Sequence, residues 1–260
     1  MRFELLNAAC GYAKDKPVLE NVSMDLEDGD ICCILGPNGV GKTTLFKTIL
    51  GLLPLLGGSM SIDGQDITQW SAKRRARTIA YVAQMHVPTF PYLSEEIVMM
   101  GRIGLVSRFS EPTRHDHEVV ERIMNDMGID YLKGKPYTDV SGGERQLLMI
   151  AKALAQEPEI LILDEPTANL DFGNMSKVMS RLKELAASGL CIIFTSHLPD
   201  QALLMDAKTA LIARGEPMQF GPCRRIVTAR NLEMAYNAPV HVVEVVGEDG
   251  TPLRFCAPKI

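Results

Sequence analysis

The apolar positions of this chain change period as it runs from the N-terminus. Arg2 to Leu6, Val18-Leu19 and Val22 to Leu26 are short strand-like runs, with turns expected at Gly11, Pro17 and Asp28-Gly29. Ile31-Cys32-Cys33-Ile34-Leu35 is continuously apolar and has the length of a buried strand. Thr44 to Leu50 has helical apolar spacing, and Gly57-Gly58 is expected to end that helical region. Ser59 to Ile62, followed by Asp63-Gly64, predicts a strand entering a turn. Ser71 to Arg77 reads as a helix, and Ile79 to Val82 as a buried strand ending at Gln84.

From Val87 to Asp139 the period becomes helical. Ser94, placed before Glu95-Glu96, predicts an N-cap with acids in the first turn. Apolar residues at 119, 120, 123, 124 and 127 predict a helix that Gly128 closes. Further on, Gln146 to Gln156 and Met175 to Ala187 predict helices, the second stopped by Gly189. Ile160 to Leu163 and Cys191 to Thr195 predict buried strands. Apolar strands alternating with helices imply an α/β fold whose parallel sheet is covered on both faces. Tyr236 to Ile260 predicts a small hairpin turning at Gly247 to Gly250.

Composition narrows the function classes. The 260 residues are 46% hydrophobic and 23% charged, enough for one large domain or one domain with subdomains. A net charge of −5 provides no global basic footprint, so no nucleic-acid partner is expected. The cluster Lys73-Arg74-Arg75 with Arg77 reads as a solvated helix face. Six cysteines include no C-x-x-C pair, so buried free thiols in a reducing compartment are expected. His115 and His117 lie in a polar stretch and are expected in solvent rather than on a metal. The chain starts with no apolar leader. Its longest apolar runs, such as Ile49 to Leu56, are too short to cross a bilayer. A cytosolic chain is expected, able to work against a membrane through a partner.

The chemistry concentrates in three places. Gly36-Pro37-Asn38-Gly39-Val40-Gly41-Lys42-Thr43 matches the phosphate-binding pattern G-x-x-x-x-G-K-[ST], set between a strand and a helix start. Its glycines let backbone N–H groups converge on an anion, and the helix N-terminus adds positive partial charge. Lys42 is placed to reach the β- and γ-phosphates of a nucleotide, and the Thr43 hydroxyl to bind Mg²⁺. The apolar strand Ile160 to Leu163 ends in Asp164-Glu165. Adjacent side chains at a strand end point differently, so Asp164 can hold Mg²⁺ while Glu165 polarises water. Val140-Ser141-Gly142-Gly143-Glu144 opens a second helix with a hydroxyl and two glycines, a second anion-ready terminus. Two such sites for one terminal phosphate make sense if two copies meet head to tail.

Together these residues resemble the nucleotide-binding subunits of ATP-binding-cassette (ABC) proteins, over roughly residues 1–235. The resemblance implies a P-loop NTPase fold of RecA-like type. Its parallel sheet core would carry an antiparallel β subdomain and an inserted helical subdomain at about residues 87–139, with residues 236–260 as a C-terminal tail. Gly36, Asn38, Gly39, Gly41, Lys42, Thr43 and Thr44 resemble the Walker A loop. Ser141, Gly142 and Gly143 resemble the signature sequence, in which Val140 and Glu144 stand for the usual leucine and glutamine. Asp164 and Glu165 resemble the Walker B aspartate and the catalytic glutamate. The resemblance further implies that Gln84 contacts Mg²⁺ and senses a membrane partner, and that Asp171 lies in the D-loop. His197 would touch the γ-phosphate and Tyr12 would stack on adenine, although a loop tyrosine can also simply pack.

The function implied is ATP hydrolysis with Mg²⁺ as cofactor, driving closure and release of a homodimer. Met99-Met100-Gly101-Arg102, Arg145-Gln146 and the stretch Glu165 to Asn174 resemble ATPases serving metal-chelate uptake: ferric siderophores, haem, cobalamin, molybdate or tungstate. Permease subunits would dock near Gln84 to Gly104, through residues such as Met85, Val87, Phe90, Tyr92, Leu93, Ile97, Met99 and Met100. The expected location is the cytoplasmic face of a membrane, with an extracytoplasmic binding protein as an indirect partner. An exporter-associated or membrane-free cassette ATPase is the alternative.

Overall fold

The computed structural model describes residues 1–84, 90–103, 111–248 and 250–259. The chain divides into two compact units, Met1–Trp70 with Ile193–Ile260, and Ser71–Ile192.

The first unit holds an antiparallel sheet in which Arg2–Ala13 lies between Lys16–Glu27 and Leu55–Ile62, with Gln65–Asp66 at one edge. Both long strands have 12 residues and bury alternate side chains, Phe3 and Leu5 on one, Met24 and Leu26 on the other. They are longer than the short apolar runs suggest, because register shifts after Leu5 and Ala8 absorb the breaks in alternation. Gly11 is therefore no turn. It lies inside a strand where an added Cβ would sit 2.9 Å from the Pro17 Cα, so glycine permits a close backbone crossing. The chain reverses at Lys14-Asp15 instead. Gly57 and Gly58 do not end a helix either. The helix is Lys42–Ile49, and both glycines belong to the next strand. Gly58 has φ +77° and lies so close to Leu6 and Asn7 that a Cβ would strike backbone oxygen.

The second sheet of this unit runs in the order Gln219–Pro222, Lys208–Leu211, Ile31–Leu35, Cys191–Ser196. Ile31–Leu35 and Lys208–Leu211 pair in parallel, Cys32 opposite Lys208. Cys32 to Leu35 are fully buried, as are Cys191 to Phe194. The tail forms the antiparallel pair Val240–Val246 and Pro252–Pro258 after the helix Ala229–Tyr236. Its turn includes Asp249, outside the described residues.

In the second unit Ile79–Val82 and Ile160–Leu163 pair in parallel. The helices Ser94–Met99, Arg114–Asp126, Gly142–Leu154 and Phe172–Ala187 accompany them. Val119, Val120, Ile123, Met124 and Met127 are buried as their spacing predicts, and Gly128 (φ +63°) ends that helix. Ser94 is not an N-cap: it is fully buried, and its hydroxyl donates to the Lys135 carbonyl at 2.9 Å. The cap is Leu93, whose N–H donates to Glu96 Oε2 at 2.8 Å. Of the basic cluster, Lys73, Arg74 and Arg77 are exposed but Arg75 is buried. His115 and His117 are exposed on either side of buried Asp116. Five cysteines are buried, Cys256 is half-buried, and all six are free thiols. Among the described residues no helix is long and apolar enough to cross a membrane.

Candidate functional site

The phosphate loop grows directly out of the buried strand Ile31–Leu35. Ile212 N–H donates to the Leu35 carbonyl at 2.8 Å, so the segment after the neighbouring strand flanks the loop's start. A Cβ on Gly36 would lie 2.5 Å from the Ile212 oxygen, which explains glycine there. Gly39 (φ +74°) and Gly41 (φ +117°) hold left-handed conformations that ordinary residues avoid. Gly41 is the N-cap of Lys42–Ile49 and brings no side chain to the helix end. Any side chain there would also press on Val18 and Leu19. Lys42 is buried, and its ammonium donates to the Gly36 carbonyl at 2.6 Å and the Pro37 carbonyl at 3.1 Å. A buried cation needs such partners, and these hold it inside the curl of the loop. Asn38 and Thr43 are exposed, whereas Thr44 is buried and its carbonyl accepts the Thr48 hydroxyl at 3.0 Å. Tyr12 is 65% exposed, with the Lys47 ammonium 5.9 Å from its ring centroid. The ring is thus largely open to solvent, with a cation over it.

His197 follows the fully buried strand Cys191–Ser196 and is exposed. The Ser196 hydroxyl oxygen accepts the Leu198 N–H at 2.9 Å, bending the chain at that point. The phosphate loop, Tyr12 and His197 all belong to the first unit.

The second unit carries the acids. Asp164 and Glu165 are half-buried at the end of Ile160–Leu163. The Tyr81 hydroxyl approaches Asp164 Oδ2 at 3.5 Å, and burial together with this carboxylate pushes the phenol up to about 12. It stays protonated and available as a donor. Glu165 has φ +48°, a strained conformation for a long side chain. Gln84 Nε2 donates to Glu165 Oε2 at 3.4 Å, joining two residues far apart in sequence. Within this unit Gln84 and Asp164 offer an amide oxygen and a carboxylate, and in the first unit Thr43 offers a hydroxyl; each is a hard oxygen donor of the type Mg²⁺ prefers.

The helix expected from Gln146 starts earlier, at Gly142. Ser141 is its N-cap: its hydroxyl oxygen accepts the Glu144 N–H at 3.3 Å, and Glu144 Oε2 accepts the Ser141 N–H at 2.8 Å. Hydrogen bonds from Ser141, first of all its backbone N–H, hold the Glu144 carboxyl below its usual range. Glu144 thus supports the turn from within, a role its difference from glutamine does not suggest. Gly143 packs against Asn174, where a Cβ would come within 2.4 Å of the side chain. Asp171 caps Phe172–Ala187 by accepting the Asn174 N–H at 2.8 Å, which holds its carboxyl low. The glycine turn at 142 and 143 is therefore packed against Leu170 and Asn174, on either side of Asp171, within one unit.

A sequence profile of the ABC transporter family matches residues 19–168. The chain belongs to the ABC transporter family. An uncharacterized ABC transporter ATP-binding protein of Haemophilus influenzae is 37% identical over 91% of this chain and 89% of its own length. The molybdate import ATP-binding protein MolC of the same organism is 33% identical over 88% of this chain and 85% of its own. Other relatives are named for hemin import, manganese transport and cobalamin import. The solved structure of a metal-chelate type ABC transporter in an inward-facing conformation is 29% identical, with a TM-score of 0.88 over 99% of this chain and 97% of that one. This ABC protein is an ATPase of the P-loop NTPase fold, and it binds ATP.

Of the stretch Gln84 to Gly104, Met85 and Val87 lie outside the described residues, as does Gly104. Phe90 and Tyr92 are exposed with ring centroids 6.1 Å apart, Leu93, Met99 and Met100 are half-buried, and Ile97 is buried in the core.

Proposed function

We propose that this ABC ATPase powers an importer for a metal chelate, working as a head-to-tail homodimer attached through permease subunits to the cytoplasmic face of a membrane. The observation that carries the ATPase site is the buried Lys42 ammonium held within a loop of positive-φ glycines at a helix N-terminus. That arrangement suits a polyphosphate and little else. The importer reading and the metal-chelate class (ferric siderophore, haem, cobalamin, molybdate or tungstate) draw support from the relatives named for molybdate, hemin and cobalamin import and from the metal-chelate type structure.

The residues divide the work by their chemistry. Gly36, Asn38, Gly39, Gly41 and Thr44 present the loop backbone to the phosphates, and Lys42 neutralises them. Tyr12 offers a ring face to adenine. Thr43, Gln84 and Asp164 would hold Mg²⁺, which would supply neutralisation of phosphate charge when bound. Glu165 accepts a proton from water as its oxygen bonds to the γ-phosphorus, and the bond to the β-phosphate oxygen breaks to release ADP. Its strained backbone and its Gln84 contact orient the carboxylate for that task. His197 donates to the γ-phosphate. Ser141, Gly142, Gly143 and Asp171 act on nucleotide bound by the second copy. Phe90 and Tyr92, exposed after Gln84, offer apolar area to a permease helix.

The test uses the full chain carrying Glu165→Gln, with sedimentation read with and without saturating Mg·ATP. The expected result is a monomer that becomes a stable dimer with ATP and hydrolyses it at least about a hundredfold more slowly. A chain that stays single with its permease supplied, or one that hydrolyses ATP at the original rate, would contradict the reading.

A further inference from the structure

The tail is tied to the segment that carries His197. The Tyr236 hydroxyl, at the last turn of the helix Ala229–Tyr236, donates to the His197 carbonyl oxygen at 3.1 Å. Three residues beyond His197, Asp200 Oδ1 accepts the backbone N–H of Cys256 at 2.6 Å. That amide belongs to the closing hairpin strand Pro252–Pro258. Two parts of the C-terminal region therefore hold one four-residue stretch, His197 to Asp200, that follows the strand Cys191–Ser196. The Gly36 amide also faces the Tyr236 oxygen, and burial raises the phenol well above its ordinary range, so it remains a donor throughout the physiological span. Gly36 opens the phosphate loop and lies close against the Ile212 carbonyl.

We propose that Tyr236 is a positioning residue for ATP hydrolysis: its hydroxyl fixes the backbone of His197 beside the start of the phosphate loop. This rests on the reading of His197 as the γ-phosphate contact. His197 is exposed and follows directly on the buried strand Cys191–Ser196, which anchors the chain before it. Tyr236 supplies the anchor on the other side, 39 residues away in sequence. Asp200 and Cys256 carry the same tether one helical turn further on. The C-terminal region then acts as a strap on the imidazole rather than as a separate module. A phosphate contact at the wrong angle loses rate rather than affinity, because the geometry matters most when charge moves.

The experiment is a double-mutant cycle on the full chain with Tyr236→Phe and His197→Ala, reading steady-state hydrolysis at varied ATP. The phenylalanine keeps the ring and removes only the hydroxyl. The expected result is a fall in kcat of roughly fivefold for Tyr236→Phe, the size of one lost hydrogen bond, with KM for ATP unchanged. In the His197→Ala background the same substitution is expected to change kcat by less than about twofold, because there is no imidazole left to misplace. An equal loss in both backgrounds overturns the proposal, as does an unchanged kcat in Tyr236→Phe while His197→Ala is impaired. Unimpaired hydrolysis in His197→Ala overturns the γ-phosphate reading itself, and with it the proposal. Hydrogen exchange of the amides from residues 196 to 201 provides a readout independent of turnover: faster exchange in Tyr236→Phe is expected, and unchanged protection contradicts the anchor.

Discussion

Arg102 Nε lies 2.9 Å from Asp116 Oδ1, and both side chains are nearly removed from solvent. The same guanidinium donates through Nη1 to the Ala155 carbonyl at 2.7 Å and to Glu157 Oε2 at 2.8 Å. Asp116 meanwhile accepts the Thr113 N–H and hydroxyl at the start of Arg114–Asp126. One cation thus joins the segment after Ser94–Met99 to the helix Arg114–Asp126 and to the end of Gly142–Leu154. Gly101 makes this possible, since a Cβ there would collide with the Lys152 carbonyl.

Asp116→Ala removes the buried one of the two carboxylates paired with the Arg102 guanidinium, leaving only half-exposed Glu157, and removes half of a capping box. It is expected to cost about 3 to 5 kcal/mol in urea unfolding. The paired change Arg102→Met with Asp116→Leu is expected to cost clearly less, because no charge is left stranded. Equal losses in the single and double variants would show that the ion pair is not what holds these helices.

The same carboxyl sets an acid limit. Hydrogen bonds from Thr113, and then Arg102, lower Asp116 to about 2. A carboxyl whose folded value is lowered contributes stability at neutral pH, and that contribution disappears as pH falls through the folded value. The urea midpoint is therefore expected to fall between about pH 4 and pH 2, more steeply than in Asp116→Asn. Parallel profiles for the two proteins would place the acid sensitivity elsewhere.

Lys42→Ala removes the cation that the loop carbonyls hold. Charge-assisted hydrogen bonds contribute about 1.5 to 3 kcal/mol each, so nucleotide affinity is expected to weaken at least about tenfold in calorimetric titration. Undiminished binding would remove Lys42 from the site.

Gly142 and Gly143 differ in what surrounds them. Gly143→Ala drives a methyl into Asn174 and is expected to lower stability by about 1 to 3 kcal/mol. At Gly142 the nearest atom to a new Cβ is Leu170 Cδ2 at 3.8 Å, an ordinary contact, so Gly142→Ala is expected to be neutral or slightly stabilising in the helix. Thermal unfolding of the two variants side by side checks the contrast.

Much of this protein could be read along the chain. Ile31–Leu35, Ile160–Leu163 and Cys191–Ser196 are strands as their apolar runs predict. The helix over Arg114–Asp126 follows its apolar spacing. The family resemblance rests on local patterns of a few residues, and the chain does belong to that family. Boundaries were less legible. Ser141 reads as part of a helix N-terminus, yet the helix it caps starts four residues before the apolar spacing does, because the glycines at 142 and 143 carry no periodicity signal. Gly11 looks like a turn residue and Gly58 like a helix stop, but both lie inside strands where neighbouring backbone leaves no room for a Cβ.

The sequence by itself determined the nucleotide chemistry, because a phosphate loop, a strand-end pair of acids and a capped glycine turn are built from residues adjacent in the chain. Their geometry follows from local backbone preferences. Only the tertiary structure decided that Arg102 reaches Asp116 and Glu157, that Gly143 seats Asn174, and that Tyr236 holds His197. Those pairings depend on where the topology returns the chain after many intervening residues. No short-range rule of spacing or polarity carries that information.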